Sequence, residues 1–414
     1  MLAFNFMSVS DLPILVVCVF LLTFIFAVLS KRAGILYYSF SLGCFLFLFV
    51  DYVIFWDSTS GLEDYKQAVE LTVYSYWAVS IGFYCFSSSD QKLDIVSSYY
   101  VRNIRLYYLF ILLLLSVFMI VGGGLALATF KYGRQFVALN SDVGSVGRGL
   151  QIVLAIAIPF YVSILINKVD VSHRERLGGY LAVICVALIL FFQGNRYPIL
   201  LSLAPFFLHS FLGLRNPAPK SIVKIVIFLI FGILVSNYVV AYREESLGVS
   251  YYDNDKYAFG VLKTEGILVS SQKMVTYFEN NSFKYGASLF AVSVFWVPSS
   301  LWREKPPQIG YWLPRAYDGS LSETHSSSFG YYGVSYSDFG FWGAVSFSIL
   351  IGFGLAVGSR FYSRSALSKT GRAYIACFLV AISFFLPRGI STPFFMVCGF
   401  LFFYGIYSFV YRGR

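Results

Sequence analysis

Long runs of apolar residues, each closed by a short cluster of charged or turn-forming residues, recur from one end of this chain to the other. The runs are apolar on every face, and about 20 such residues let an α-helix cross a hydrocarbon core. The pattern predicts eleven spans: 12–29, 35–55, 71–87, 105–126, 150–166, 178–192, 198–213, 222–241, 338–358, 373–387 and 391–411. No basic cluster precedes the first run, so 12–29 reads as a retained helix and not a cleaved signal. The longest interval, 242–337, reads as one large loop with short helices of its own. Within it the run 287–301 is short and broken by Pro298, so a re-entrant or interfacial helix is expected there. The fold class predicted is an all-α polytopic membrane protein forming a single domain over 1–414, with no internal repeat.

Composition agrees. Hydrophobic residues make up 58% of the 414 and charged residues 13%, where a soluble domain carries about 25%. The mean hydropathy is +0.70. Phe and Tyr are abundant, and much of the Tyr falls near predicted helix ends, as in interfacial belts. The net charge of +10 is spread over many short loops, not gathered on one face, which argues against a nucleic-acid partner. Alternating the loops puts 17 of the 31 basic residues on one side with four of the 21 acids. That asymmetry assigns this side to the cytoplasm, leaving the N-terminus and loop 242–337 outside and the C-terminus inside. If 287–301 crossed, every later loop would swap sides and the asymmetry would be lost. The six cysteines lie in or beside apolar runs with no CxxC pair, so neither a disulfide framework nor a metal site is expected.

Seven arginines fall on the outer side, where orientation does not call for them: Arg134, Arg148, Arg196, Arg243, Arg303, Arg315 and Arg388. Guanidinium groups at a membrane surface suit phosphate oxygens. Arg196 sits in Gln193-Gly194-Asn195-Arg196-Tyr197-Pro198, a tight corner ahead of a helix start that itself favours an anion. The same residue would also serve as a snorkelling anchor. Arg243 follows the long run 222–241 and precedes Glu244 and Glu245, either as a phosphate clamp or as a solvated helix end. Arg303 and Lys305 lie in Leu301-Trp302-Arg303-Glu304-Lys305-Pro306-Pro307, and Arg315 in Tyr311-Trp312-Leu313-Pro314-Arg315. Such alternation of cations with aromatic rings fits phosphate and sugar, and fits an interfacial anchor equally. Of the three histidines, His173 is expected in a cytoplasmic loop and His209 in a span, whereas His325 lies outside two residues from Glu323. Either could remove a proton from an attacking hydroxyl. Arg388, in Leu386-Pro387-Arg388-Gly389, forms a second corner like that of Arg196.

Several other patterns carry little. Asp253-Asn254-Asp255 has DxD spacing without a βαβ setting, and no Walker loop is present. Gly354 and Gly358 form a GxxxG expected to pack helices closely. Ionisable residues are sparse within the predicted spans, unlike an ion-coupled transporter.

Taken together, the GNRYP corner, the YRE helix end, LWREKP, ETHSSSFGYYG and the following DFGFWGA helix resemble the bacterial O-antigen polymerases, the Wzy-type oligosaccharide repeat-unit polymerases. The resemblance covers the layout of most of the chain and is most specific over 193–343. It implies a fold similar to GT-C membrane glycosyltransferases and metal-independent transfer, without a cofactor. Both glycan donor and acceptor would be linked to undecaprenyl diphosphate at the outer face of the bacterial inner membrane. A polysaccharide chain-length regulator is an implied partner. By the resemblance, Arg196, Arg243 and Arg303 would hold the donor diphosphate, joined by Lys305, Arg315 and Arg388, and His325 or Glu323 would take the acceptor proton. An O-antigen ligase would share this outer-loop logic, and a lipid-linked oligosaccharide flippase is the alternative without chemistry.

Overall fold

The structure, a computed structural model, describes residues 35–49, 63–87, 258–259, 262–263, 266–294, 301–319, 327–364 and 378–390, together with scattered single positions. The described part is helical apart from one antiparallel ladder, β1 (Ala258–Phe259) against β2 (Leu262–Lys263). Among the described residues one helix, Gly333–Arg360, is long and apolar enough to cross a membrane. Spans 12–29, 105–126, 150–166, 198–213, 222–241 and 391–411 lie wholly or almost wholly outside the described residues.

By its internal contacts the chain divides into two compact units, one of Met1–Lys92, Asp253–Arg364 and Ile382–Phe394, the other of Leu93–Tyr252, Ser365–Ala381 and Phe395–Arg414. In the second, the described positions between 173 and 184 are helical, with Leu177, Leu181 and Ile184 exposed along one face. His173, which the sequence placed in a loop, is one of these helical positions.

The first unit contains α1 (Ile35–Cys44, continued by a π-helical turn Phe45–Phe49), α2 (Glu63–Phe86), α3 (Ile267–Glu279), α4 (Ala287–Val294), α5 (Ile309–Tyr317) and α6 (Gly333–Arg364). It also holds the 3-10 turn Leu386–Arg388 that ends an apolar helix beginning at Phe378. Side chains set the helix directions. The Tyr37 hydroxyl lies 2.8 Å from Ser80 Oγ, and Ser41 Oγ 3.0 Å from the Tyr76 hydroxyl, so α1 runs antiparallel to α2. The ring of Tyr74 meets Phe341 at 5.7 Å and that of Phe86 meets Phe353 at 4.8 Å, so α2 and α6 run parallel.

The α2–α6 seam is made by small residues. Ala344, Ser348, Gly352 and Ala356 recur every fourth position of α6 and are buried. A Cβ at Gly352 would overlap the carbonyl of Val79, and one at Gly82 the carbonyl of Ile349. Backbones approach this closely only where side chains are absent or small. The expected GxxxG partner is displaced: Gly354 has nothing within 4 Å of a built Cβ. Two residues along an α-helix turn a position to nearly the opposite face, so Gly352 takes the seam and Gly354 looks outward.

Helix α6 is broken at Gly340, whose φ of 66° and ψ of −155° are not helical. That conformation is open essentially to glycine alone. The Phe283 ring lies so near that a Cβ at Gly340 would come within 2.9 Å of it. Just before the break, the fully buried Asp338 carboxylate accepts the backbone N–H of Ser288 at 2.9 Å and of Leu289 at 2.8 Å. A carboxylate satisfies donors that a helix N-terminus otherwise leaves unpaired. The Lys284 and Tyr285 N–H groups bond the carbonyls of Ser337 and Asp338 at 2.9 and 3.1 Å. Helix α4 is thus fastened to the start of α6. Its eight residues reach about 12 Å, far short of a ~30 Å hydrocarbon core.

Candidate anion-binding site

Helix α5 shows how local sequence builds the site. Pro314 lies inside it and has no N–H to give to the carbonyl of Gly310 four residues earlier. That carbonyl instead accepts the backbone N–H of Ser327 at 2.9 Å. The approach also needs a glycine, because a Cβ at Gly310 would stand 2.9 Å from the Ser327 carbonyl. One residue on, the Ser328 hydroxyl donates to the carbonyl of Arg388 at 2.7 Å. The segment 327–328 is therefore tied to the Arg315 helix at one residue and to the Arg388 corner at the next. Three motifs that were separate in the sequence meet here.

The cations of the segment 267–317 have distinct settings. Arg315 Nε donates to the Tyr311 carbonyl at 2.9 Å, which fixes the root of its guanidinium along α5. Arg303 is exposed in the turn after Leu301, next to Trp302, whose ring meets Phe290 of α4 at 6.1 Å. Neither Arg303 nor Arg315 pairs with a carboxylate among the described residues. Lys305 donates its amine to the carbonyl of Val297 at 2.8 Å, and burial holds its pKa below the ordinary lysine value. Here Lys305 ties the turn at 301–305 to Val297. Lys273 lies 5.1 Å from the Tyr317 ring centroid and Lys284 4.9 Å from that of Trp312, so aromatic faces on α5 receive two further cations. Burial raises the Tyr317 pKa, and a hydrogen bond with Ser327 opposes that rise.

Trp312 also meets Tyr277 at 5.9 Å and Phe278 at 6.3 Å, which seats α5 on α3. A hydroxyl chain joins α3 to α2. Thr72 gives its hydrogen to the Ala68 carbonyl at 2.8 Å, so it accepts from the Tyr332 hydroxyl at 2.6 Å. Tyr332 in turn accepts from Ser271 at 3.1 Å.

Of the residues singled out in the sequence, Arg303, Lys305, Arg315 and Arg388 are placed by the structure. Arg196, Arg243, Glu323 and His325 lie outside the described residues, as do Arg134 and Arg148. The structure brings together the Arg315 helix, the serines that follow His325 in sequence, and the Arg388 corner. Arg303 stands on the turn whose Trp302 meets Phe290 of α4. Sequence reasoning overlooked Gly310 and gave no such role to Pro314 or Ser328, although both stood in motifs it singled out. The signal for them was a proline five residues into an amphipathic helix, four after a glycine. Chemically, a guanidinium fixed along a helix, with a second arginine at the corner tied to that helix, suits an anionic group whose charge grows as a bond breaks. Compared with protein-family models, characterised proteins and solved structures, the chain matches none.

Proposed function

We propose that the chain is a polytopic glycosyltransferase of the bacterial inner membrane. It polymerises undecaprenyl-diphosphate-linked oligosaccharide repeat units into O-antigen or a related surface polysaccharide at the outer face. The observation that carries this reading is the double tie of segment 327–328, to the Arg315 helix through Gly310 and to the Arg388 corner. It joins two arginine-bearing elements through the serines that follow His325 in sequence, an arrangement that favours transfer from a diphosphate carrier. Arg315 and Arg388 would stabilise the leaving diphosphate, with Arg196, Arg243 and Arg303, and with Lys305 less directly. His325 or Glu323 would remove the acceptor proton. Both lipid-linked substrates share one leaflet, which lowers the entropic barrier to their meeting.

The helix directions support the expected topology. With α1 antiparallel and α6 parallel to α2, an odd number of crossings separates Phe86 from Gly333. The five expected spans between them satisfy this only if 287–301 does not cross.

The test is elongation of purified lipid-linked repeat units by the purified chain alone. Long products lost in Arg315→Ala and Arg388→Ala, with insertion unchanged, are expected. Transfer to lipid A core would establish the ligase instead, and no covalent product with lipid translocation would establish the flippase.

A further inference from the structure

Tyr285 holds a positive φ of 48°, strained for a bulky residue, yet its ring is 77% exposed. Burial of the side chain does not repay that conformation. It is imposed by the backbone bonds to Ser337 and Asp338 described above, and its effect is to push a tyrosine ring outward. Exposed apolar side chains recur on the elements beside it, with the exposed Lys284 and Glu304 among them. Gly286 faces Phe339 on α6, a built Cβ lying 3.8 Å from that ring. Phe290, 51% exposed, follows one turn into α4 and meets Trp302, beside Leu301 at 80% exposure and the exposed Arg303. In the other direction, Phe339 leads to Trp342 (73% exposed) and to Leu350, on the outward side of the helix that is apolar and long enough to cross a membrane. Asn281 and Ser282, also exposed, bound the ledge with polar groups.

We propose that the ledge Tyr285–Phe290–Leu301 is a membrane-surface anchor, seated in the headgroup and upper acyl region of the bilayer that α6 crosses. The occupant is a phospholipid leaflet, for two reasons. The ledge is continuous with the lipid-facing side of α6 at Phe339 and Trp342. It also carries the residue types that suit that depth: a tyrosine with an apolar body and polar tip, Phe and Leu beyond it, and Arg303 at the level of lipid phosphate. The anchor holds the turn at 301–305 against the leaflet from which a lipid-linked substrate arrives. This rests on the membrane reading of α6.

The test places a photoreactive benzoylphenylalanine at one position at a time in the full chain, in nanodiscs of radiolabelled phosphatidylethanolamine and phosphatidylglycerol. The variants are Tyr285→benzoylphenylalanine, Phe290→benzoylphenylalanine and Leu301→benzoylphenylalanine, with Leu350 as the span control and Ser282 as the water control. All five side chains are exposed, and of them Phe290 gives up a ring contact, with Trp302. Lipid adducts at 285, 290, 301 and 350, several-fold above those at 282, are expected. Adducts at 350 with only background at the three ledge positions overturn the anchor and leave the membrane reading intact. Background at 350 as well overturns both. Cross-links from the ledge to a second copy of the chain overturn the anchor in favour of a protein interface.

Discussion

The carbonyl of Gly310 accepts the backbone N–H of Ser327 because Pro314 offers it no donor. Replacing Pro314 by Ala restores a competing N–H and relieves the helix, since Pro in a helix interior costs about 3 kcal/mol relative to Ala. The expected outcome is an α5 of equal or greater stability with a released 327–328 segment. Hydrogen exchange should accelerate at Ser327 while polymer length falls. Unchanged protection of Ser327 would show that the proline does not govern this tie.

Asp338 is buried against two backbone donors, and no side chain shares them among the described residues. Asp338→Asn keeps one acceptor oxygen and turns an amide donor toward a backbone donor. A loss of about 1–3 kcal/mol is expected, the penalty of an unsatisfied buried donor. The measurement is the thermal midpoint in detergent, read beside protease sensitivity of 284–294. A midpoint equal to wild type would mean that α4 is held by other contacts.

Gly340 presents two separable obstacles, its backbone conformation and the Phe283 ring. Gly340→Ala should destabilise by roughly 1–3 kcal/mol from strain alone. The double variant Gly340→Ala with Phe283→Leu should recover only the part due to the ring. Full recovery would place the whole effect in the clash and none in the dihedral angles.

In the hydroxyl chain Ser271–Tyr332–Thr72, the middle oxygen both gives and receives. Tyr332→Phe strands the Ser271 donor and removes a donor from Thr72, whereas Ser271→Ala leaves only an unused lone pair on Tyr332. Tyr332→Phe should therefore be the costlier change, by about 1 kcal/mol. Equal midpoints for the two variants would refute the donor order.

Burial holds the Lys305 ammonium below its ordinary pKa of 10.5. The unfolded chain then binds that proton more tightly, so stability rises with pH between the folded value and 10.5. Wild type should gain on Lys305→Met as pH climbs through that window. Parallel pH dependences of the two proteins would contradict it.

How much of this was legible in the sequence varies by element. The core of α6 stood out because its apolar run is long and unbroken. The first eight residues of α2 did not, because Glu63, Asp64, Lys66 and Glu70 interrupt the run. Yet Tyr65, Ala68 and Val69 are buried there, a helical pattern that a search for uniform hydrophobicity passes over. Helix α3 lay inside an expected loop, although its buried face, Ile267, Leu268, Ser271, Met274, Val275 and Phe278, has regular helical spacing. The Gly354/Gly358 pair misled because both sides of α6 are apolar, so composition leaves its rotation undetermined. The meeting of Ser328 with Arg388 depends on residues 60 apart and on a carbonyl, which no side-chain motif announces.

Gly82 and Gly352 bring two main chains into direct touch. Helices in that state have no cushion of side chains to slide on. Shifting one past the other by a turn would first require prising them apart. The pair therefore behaves as a rigid keel, and any widening of the site for the proposed glycan must come from parts not bolted to it. The break at residue 340 is the nearest joint that could flex while the keel stays still.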